Sequence, residues 1–275
     1  MAVDRNDPDR KLFAEELRAM REDRHWSRDE LGKLINFSAS TINNIESMFR
    51  APTHQQALLL DKAFGTPGTF ARLEARLRGV PFSAGFRPFY PYEREAGTLR
   101  TFEHTLVPGL FQTEDYTRTL AEAYPGVSQQ DVQERVGARM ARQTILDRKE
   151  PAPPWMWVVL DEHVLHQEIG GPAVMVAQME RLAELARRPR INIQVIPAGR
   201  PHPGLLGAAV IAELDEGPAI VYVETVLEGQ TVENPDIAKA VTLVFDALRA
   251  EALTSGASLA LIEEAALRWK EKPET

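Results

Sequence analysis

Ser27-Arg-Asp-Glu-Leu-Gly-Lys-Leu-Ile-Asn36-Phe-Ser38-Ala-Ser-Thr-Ile-Asn-Asn-Ile-Glu46 holds two short apolar-periodic segments separated by a turn, and it decides the fold of the first part of the chain. Ser27, followed three residues on by Glu30, forms a capping box, in which each side chain satisfies a backbone N–H that the first helical turn leaves unpaired. The helix it opens runs through Leu31, Leu34 and Ile35 and stops at Asn36, a residue that tolerates the left-handed backbone of a tight turn. Ser38 then caps a third short helix whose Ile42 and Ile45 point inward. Ala39, Ser40, Asn43 and Asn44 are left on the opposite side at one-turn spacing. A short polar-faced helix braced by a packed partner is the geometry with which a protein reads the major groove.

The neighbouring segments fit a helical domain. Residues 11–24 place Leu12, Phe13, Leu17, Ala19 and Met20 at near-helical spacing. Arg50-Ala-Pro-Thr53 breaks the chain, and a fourth helix follows with Ala57, Leu58, Leu60 and Ala63 before Gly65. Residues 67–78 read as a fifth. Composition changes at Gly79–Pro88, which sets two expected domains: 1–80, an all-α helix-turn-helix domain of five helices, and 81–275, a mixed α+β domain. In the second, Leu99–Leu106, Trp155–Leu160, Ile191–Ile196, Ala208–Leu214 and Ala219–Thr225 read as strands. Helices are expected at 113–124, 128–148, 172–187, 234–252 and 256–271, with no regular βαβ alternation.

Charge divides along the same line. The formal net charge is −8, but residues 1–80 carry 13 Lys and Arg against 12 Asp and Glu, while the remainder carries 19 against 28. A near-neutral module still binds DNA when its few basic groups face phosphates, because local neutralisation sets affinity. The absence of cysteine excludes disulfides and thiolate metal sites and suits a reducing cytoplasm. No apolar run approaches the roughly 20 residues of a membrane span, and the charged N-terminus does not read as a secretory signal.

Leu31 through Pro52 resembles the Cro/repressor-like XRE helix-turn-helix family, which implies a lambda-repressor-like fold. The family's turn residue falls on Asn36, its Ser-x-Ser-Thr-Ile stretch on Ser38–Ile42, its Ile-Glu pair on Ile45-Glu46 and its basic-then-proline loop on Arg50 and Pro52. Met48 stands where a glycine usually ends the recognition helix, which predicts that the helix runs on by a turn. Ala39 replaces a commonly polar base-reading position. Tyr92-Glu93, Val107–Thr113 with Tyr116, Arg142-Gln143, Leu160–Glu162 and Val195–Pro197 resemble the antitoxin-like C-terminal domain of actinobacterial regulators. That resemblance implies a small partner protein encoded next door.

The expected function is a sequence-specific, homodimeric transcription regulator of the cytoplasm that binds double-stranded DNA and is modulated through its second domain. The alternative is an antitoxin-like interaction protein that binds a small partner and autoregulates its operon. Ala39, Ser40, Asn43 and Asn44 are the expected base-contacting residues; Ser27, Arg28, Ser38, Thr41 and Arg50 are the expected backbone contacts. No cofactor, metal or catalytic constellation is expected. His163 and His166 share one helix face without a third ligand, so Asp161-Glu-His163 reads as a solvated helix start. His202, within a Pro/Gly loop, reads as a surface residue, and Arg187-Arg-Pro-Arg190 as a solvated helix end.

Overall fold

The computed structural model describes residues 8–78, 85–199, 201–225 and 229–273. The chain divides into two compact units, residues 1–84 and 85–275. The composition change expected from Gly79 falls largely on residues 79–84, outside the described residues.

The first unit is helical: α1 (Pro8–Asp23), α2 (Arg28–Ile35), α3 (Ala39–Glu46), α4 (His54–Phe64) and α5 (Thr69–Arg78). Their apolar faces meet in one core containing Phe13, Leu17, Leu31, Ile42, Leu60 and Phe70. The aromatic rings Phe13, Phe70 and Phe64 pack in sequence, each 5.4 Å from the next. Asp61 ties α4 to α5: it is buried and accepts from the N–H groups of Phe70 and Ala71, both at 2.8 Å, so it caps the following helix. Two leucines of these helices lie outside the core. Leu34 is 57% exposed and Leu58 49%, because each lies one position off its helix's buried face.

The second unit is a six-stranded mixed sheet with helices on both faces. In chain order it comprises α6 (Phe89–Glu95), β1 (Thr98–Glu103), α7 (Glu114–Glu122), α8 (Gln129–Arg142), β2 (Trp155–Asp161), α9 (His163–His166), α10 (Pro172–Ala186), β3 (Ile191–Ile196), β4 (Ala209–Glu213), β5 (Ile220–Val223), β6 (Gln230–Val232), α11 (Pro235–Glu251) and α12 (Ser255–Glu271). The strand order is β3-β2-β1-β4-β5-β6. β1, β2 and β3 are parallel, and β4 to β6 continue as an antiparallel meander. The expectation of no βαβ alternation is therefore corrected: β1 to β2 and β2 to β3 are two successive helical crossovers. The first holds α7 and α8 and the second the short α9 before α10, which hides the repeat in the sequence. β2, in the parallel half, is the near-continuous apolar run such a strand requires.

Register assigns the faces. Phe102, Val159, Ile196, Ile211 and Val221 form one face and bury Ala238, Phe245 and Leu248 of α11. On the other side α10 and α12 pack together over β3. The outer edge of β3 is protected, since Val195 donates to Ser258 Oγ (2.9 Å) and accepts from Leu253 N (2.8 Å). Two short elements were not anticipated: α6 carries Pro91 in mid-run and β6 has three residues, whereas the four-residue α9 is the helix start read at Asp161–His163. Among the described residues, no helix is long and apolar enough to cross a membrane.

Candidate nucleic-acid interface

The α2–turn–α3 unit is built by local chemistry. Ser27 Oγ accepts from Glu30 N at 3.2 Å while Glu30 Oε2 accepts from Ser27 N at 2.7 Å, closing the capping box. Those bonds favour the carboxylate and hold Glu30 below its ordinary pKa. Asn36 takes φ 61° and ψ 41°, the left-handed cap. Gly32 is required for the tight turn: a Cβ there would lie 2.5 Å from the Phe37 carbonyl oxygen. Ser38 caps α3, its Oγ accepting from Thr41 N and lying 2.9 Å from Thr41 Oγ1.

The end of α3 differs from the expectation. The helix does not run on past Met48; it ends at Glu46 with Ser47 as its cap. Met48 adopts φ 59°, the conformation a glycine would supply, and Arg50 N then bonds back to Asn44 O at 3.0 Å. A methionine therefore does the turning at a backbone cost of roughly 1–2 kcal/mol.

Glu46 anchors this helix from beneath. Its side chain is fully buried and takes Arg21 Nε at 2.6 Å, Arg21 Nη2 at 3.2 Å and Arg28 Nε at 2.8 Å. Arg18 donates to the Glu46 carbonyl at 3.1 Å. The hydrogen bond from Arg21 to Glu46 raises the pKa of that guanidinium, which stays charged. Arg21 and Arg18, from α1, and Arg28, from α2, thus fix the rotation of α3.

That rotation sets the exposed face. Ser40 and Asn43 are exposed, and Ala39, Thr41 and Asn44 are partly buried beside them. Among the described residues, the side chains of Ser40 and Asn43 make no hydrogen bond, whereas those of Ser38 and Thr41 are bonded to each other. Ser47, also exposed, extends this face and was missed because it lies beyond the last helical residue. Arg50 is exposed in the loop beyond. Arg28 is 43% exposed, with Nε committed to Glu46 and its Nη groups turned to no partner among the described residues.

In the second unit Val107–Thr113, Tyr116 and Gln143, from the resembling segments, meet in the loop after β1. Gln112 Nε2 donates to Val107 O at 2.7 Å, and Gln112 Oε1 accepts from Thr117 Oγ1 (3.1 Å) and Arg139 Nη1 (3.0 Å). Gln143 donates to Gln112 O at 2.7 Å, Gln178 to Phe111 O at 2.8 Å, and Val107 N to the Tyr116 hydroxyl at 3.3 Å. Glu93 and Arg142 form a buried bidentate pair at 2.7 and 2.8 Å, with Arg142 over the Phe86 ring. The bonds of Gln112 and Gln178 tie the loop after β1 to α7, α8 and α10.

Two expectations there are corrected. His202 is not a surface residue: its ring is buried, Nε2 lies 3.0 Å from Asp161 Oδ2, and Phe102 meets it edge-on at 5.7 Å. Asp161 is buried too, and its other oxygen caps α9 by accepting from His163 N at 2.7 Å. Arg187, Arg188 and Arg190 are engaged rather than merely solvated, with Glu263, with Asp147 and with the Pro153 carbonyl. Glu103, at the end of β1, accepts no hydrogen bond among the described residues. Burial, reinforced by nearby Glu224 and only partly offset by Arg139, pushes its pKa to about 8. Among the described residues, no group of three or more His, Cys, Asp or Glu side chains is placed to hold a metal ion.

A capped helix–turn–helix with one polar helix face bared to solvent defines a DNA-binding domain, and residues 12–73 match the model of a helix-turn-helix domain. Residues 86–264 match that of a domain of unknown function (DUF5753), and the chain belongs to that family. No curated protein and no solved structure matches the chain.

Proposed function

We propose that the chain is a Cro/repressor-like transcription regulator that binds double-stranded DNA as a homodimer, with α3 in the major groove and its activity set through residues 85–275. The observation that carries this reading is the contrast on α3. Glu46, buried, is held by arginines from two helices, while the side chains of Ser40 and Asn43 are exposed and make no hydrogen bond among the described residues. Asn pairs bidentately with adenine N6 and N7, Ser meets several bases, and Ala39 suits a thymine methyl. Ser27, Arg28, Ser38, Thr41 and Arg50 flank this face at helix N-termini and in the following loop, where phosphates are gripped. One such helix spans too few base pairs for useful specificity; two, on half-sites about 34 Å apart, suffice.

Selection of bound duplexes from a random pool by the full chain tests the proposal. Enrichment of a two-fold symmetric site with half-sites about one helical turn apart is expected. Recovery of duplexes with no common sequence would refute base reading.

A further inference from the structure

The carboxyl end of β1 lies where the parallel half of the sheet meets its antiparallel meander. The connection after β1 leads to β2, and the one after the adjacent β4 leads the other way, to β5. In open α/β sheets the crevice beyond such a parting is where small ligands bind. Register sets the last row of the sheet there. Phe102 pairs with Ala209 and Ala209 with Val223, so the next residues, Glu103, Ala208 and Glu224, lie side by side on the face opposite Phe102. Two strand spacings put the Cα atoms of the two glutamates about 10 Å apart, with only the Ala208 methyl group between them. Glu224 is exposed at the mouth of this notch and accepts from the Tyr222 hydroxyl at 2.8 Å, while Glu103 is half-buried.

Arg139, on α8, lies within electrostatic reach of both glutamates. It differs from Arg142, one turn further on. Arg142 is closed by both oxygens of Glu93, whereas Arg139 Nη1 donates to the neutral Gln112 Oε1 and Arg139 forms no ion pair among the described residues. A guanidinium and two carboxylates that face one another without touching keep hydrogen-bonding capacity aimed at the space between them. Tyr116, the other titratable group facing Glu103, stays a neutral hydroxyl because burial pushes its pKa to about 12. Two carboxylates against one guanidinium leave the notch one positive charge short. A proton on Glu103 makes up the difference until about pH 8.

We infer that this notch binds a free α-amino acid, its ammonium held between Glu103 and Glu224 and its carboxylate by Arg139. The ammonium supplies the missing positive charge in place of the proton, which passes to solvent, and a guanidinium takes a carboxylate in bidentate fashion. A simple amine would leave Arg139 bare, and a simple carboxylate would meet two acids. The inference rests on the proposal that residues 85–275 set the activity of the chain, and it names the signal they receive. Its test is binding in the absence of DNA, so its failure leaves the reading of α3 standing.

The test is isothermal titration calorimetry of the full chain with each of the standard L-amino acids, at pH 6 and pH 8, in buffers of different ionisation enthalpy. At least one amino acid is expected to bind. Its affinity should rise by up to about 50-fold from pH 6 to pH 8, with a proton released on binding at neutral pH, because Glu103 must give up its proton. Glu103→Gln has no proton to release. It should bind at least about tenfold more weakly at pH 8 and lose the rise with pH, with an unchanged circular dichroism spectrum verifying its fold. The methyl ester of the same amino acid lacks the carboxylate charge, so the parent should bind it about tenfold more weakly than the acid, whereas Arg139→Gln should bind the two alike. No heat with any amino acid at millimolar concentration, at either pH, would overturn the inference and leave the notch to ordered water only. Binding that releases no proton and is unchanged in E103Q would place the ligand elsewhere and overturn it as well.

Discussion

Glu46 in the first unit is a buried carboxylate and Glu103 in the second a half-buried one, and the two units treat them oppositely. Glu46 receives Arg21 and Arg28 within 2.6–2.8 Å and serves as the fixed point on which α3 is oriented. Glu103 receives no donor among the described residues, and burial keeps it protonated to about pH 8. A closed ionic network gives a rigid element, which a base-reading helix requires because its side chains must meet base edges within hydrogen-bond tolerance. An open one leaves a group whose protonation state is coupled to folding. His104 and His202 add to that openness, each with a buried Nδ1 that lacks a partner among the described residues. The first unit is built to hold still, and the second retains polar groups able to respond.

The largest expected effect breaks the closed network. Glu46→Ala removes the buried partner of Arg21, leaving it the exposed Glu22 and the Trp26 carbonyl, and should cost about 3 kcal/mol of stability in the first unit, measured by denaturant unfolding. A loss below 1 kcal/mol would mean that the arginines reach water instead. The opposite sign is expected at the open site. Glu103 has an ordinary pKa of 4.5 and a folded value of about 8. Over that interval the folded chain holds a proton that the unfolded chain releases. Its contribution to stability is therefore complete below about pH 4.5 and is lost as pH rises through the interval. Glu103→Gln should be more stable than the parent at pH 8, by up to about 4 kcal/mol, and indistinguishable near pH 4. A variant destabilised at both pH values would reveal a partner for the carboxylate.

Smaller effects sharpen the picture of α3. Arg28→Ala should weaken all duplexes alike and lower the salt slope of binding by about 1. An unchanged slope would confine Arg28 to bracing Glu46. Met48→Gly relieves a left-handed methionine at the price of unfolded-state entropy, so thermal melting should show a net gain of about 0.5 kcal/mol.

What the sequence made legible was local. The Ser27–Glu30 capping box, the Asn36 turn and the Ser38 cap each depend on residues three or four apart, and all three formed as read. The polar set on α3 followed from 3.6-residue periodicity alone. Contacts closed by tertiary packing were not legible. Glu46 is separated from Arg21 by 25 positions and Asp161 from His202 by 41, and neither partner carries a local signature. His202 looked exposed because Pro and Gly surround it, yet the loop carries its ring inward against Phe102. Met48 misled for a different reason. Periodicity reports where a helix can continue, whereas the backbone turned at a residue that rarely adopts positive φ.

The central claim, that the bare face of α3 reads bases, is tested most directly by Asn43→Ala on selected and unrelated duplexes at one salt concentration. The expected result is a loss of about 1–3 kcal/mol on the selected site with non-specific affinity nearly unchanged. Equal losses on both duplexes, or none on either, would contradict it.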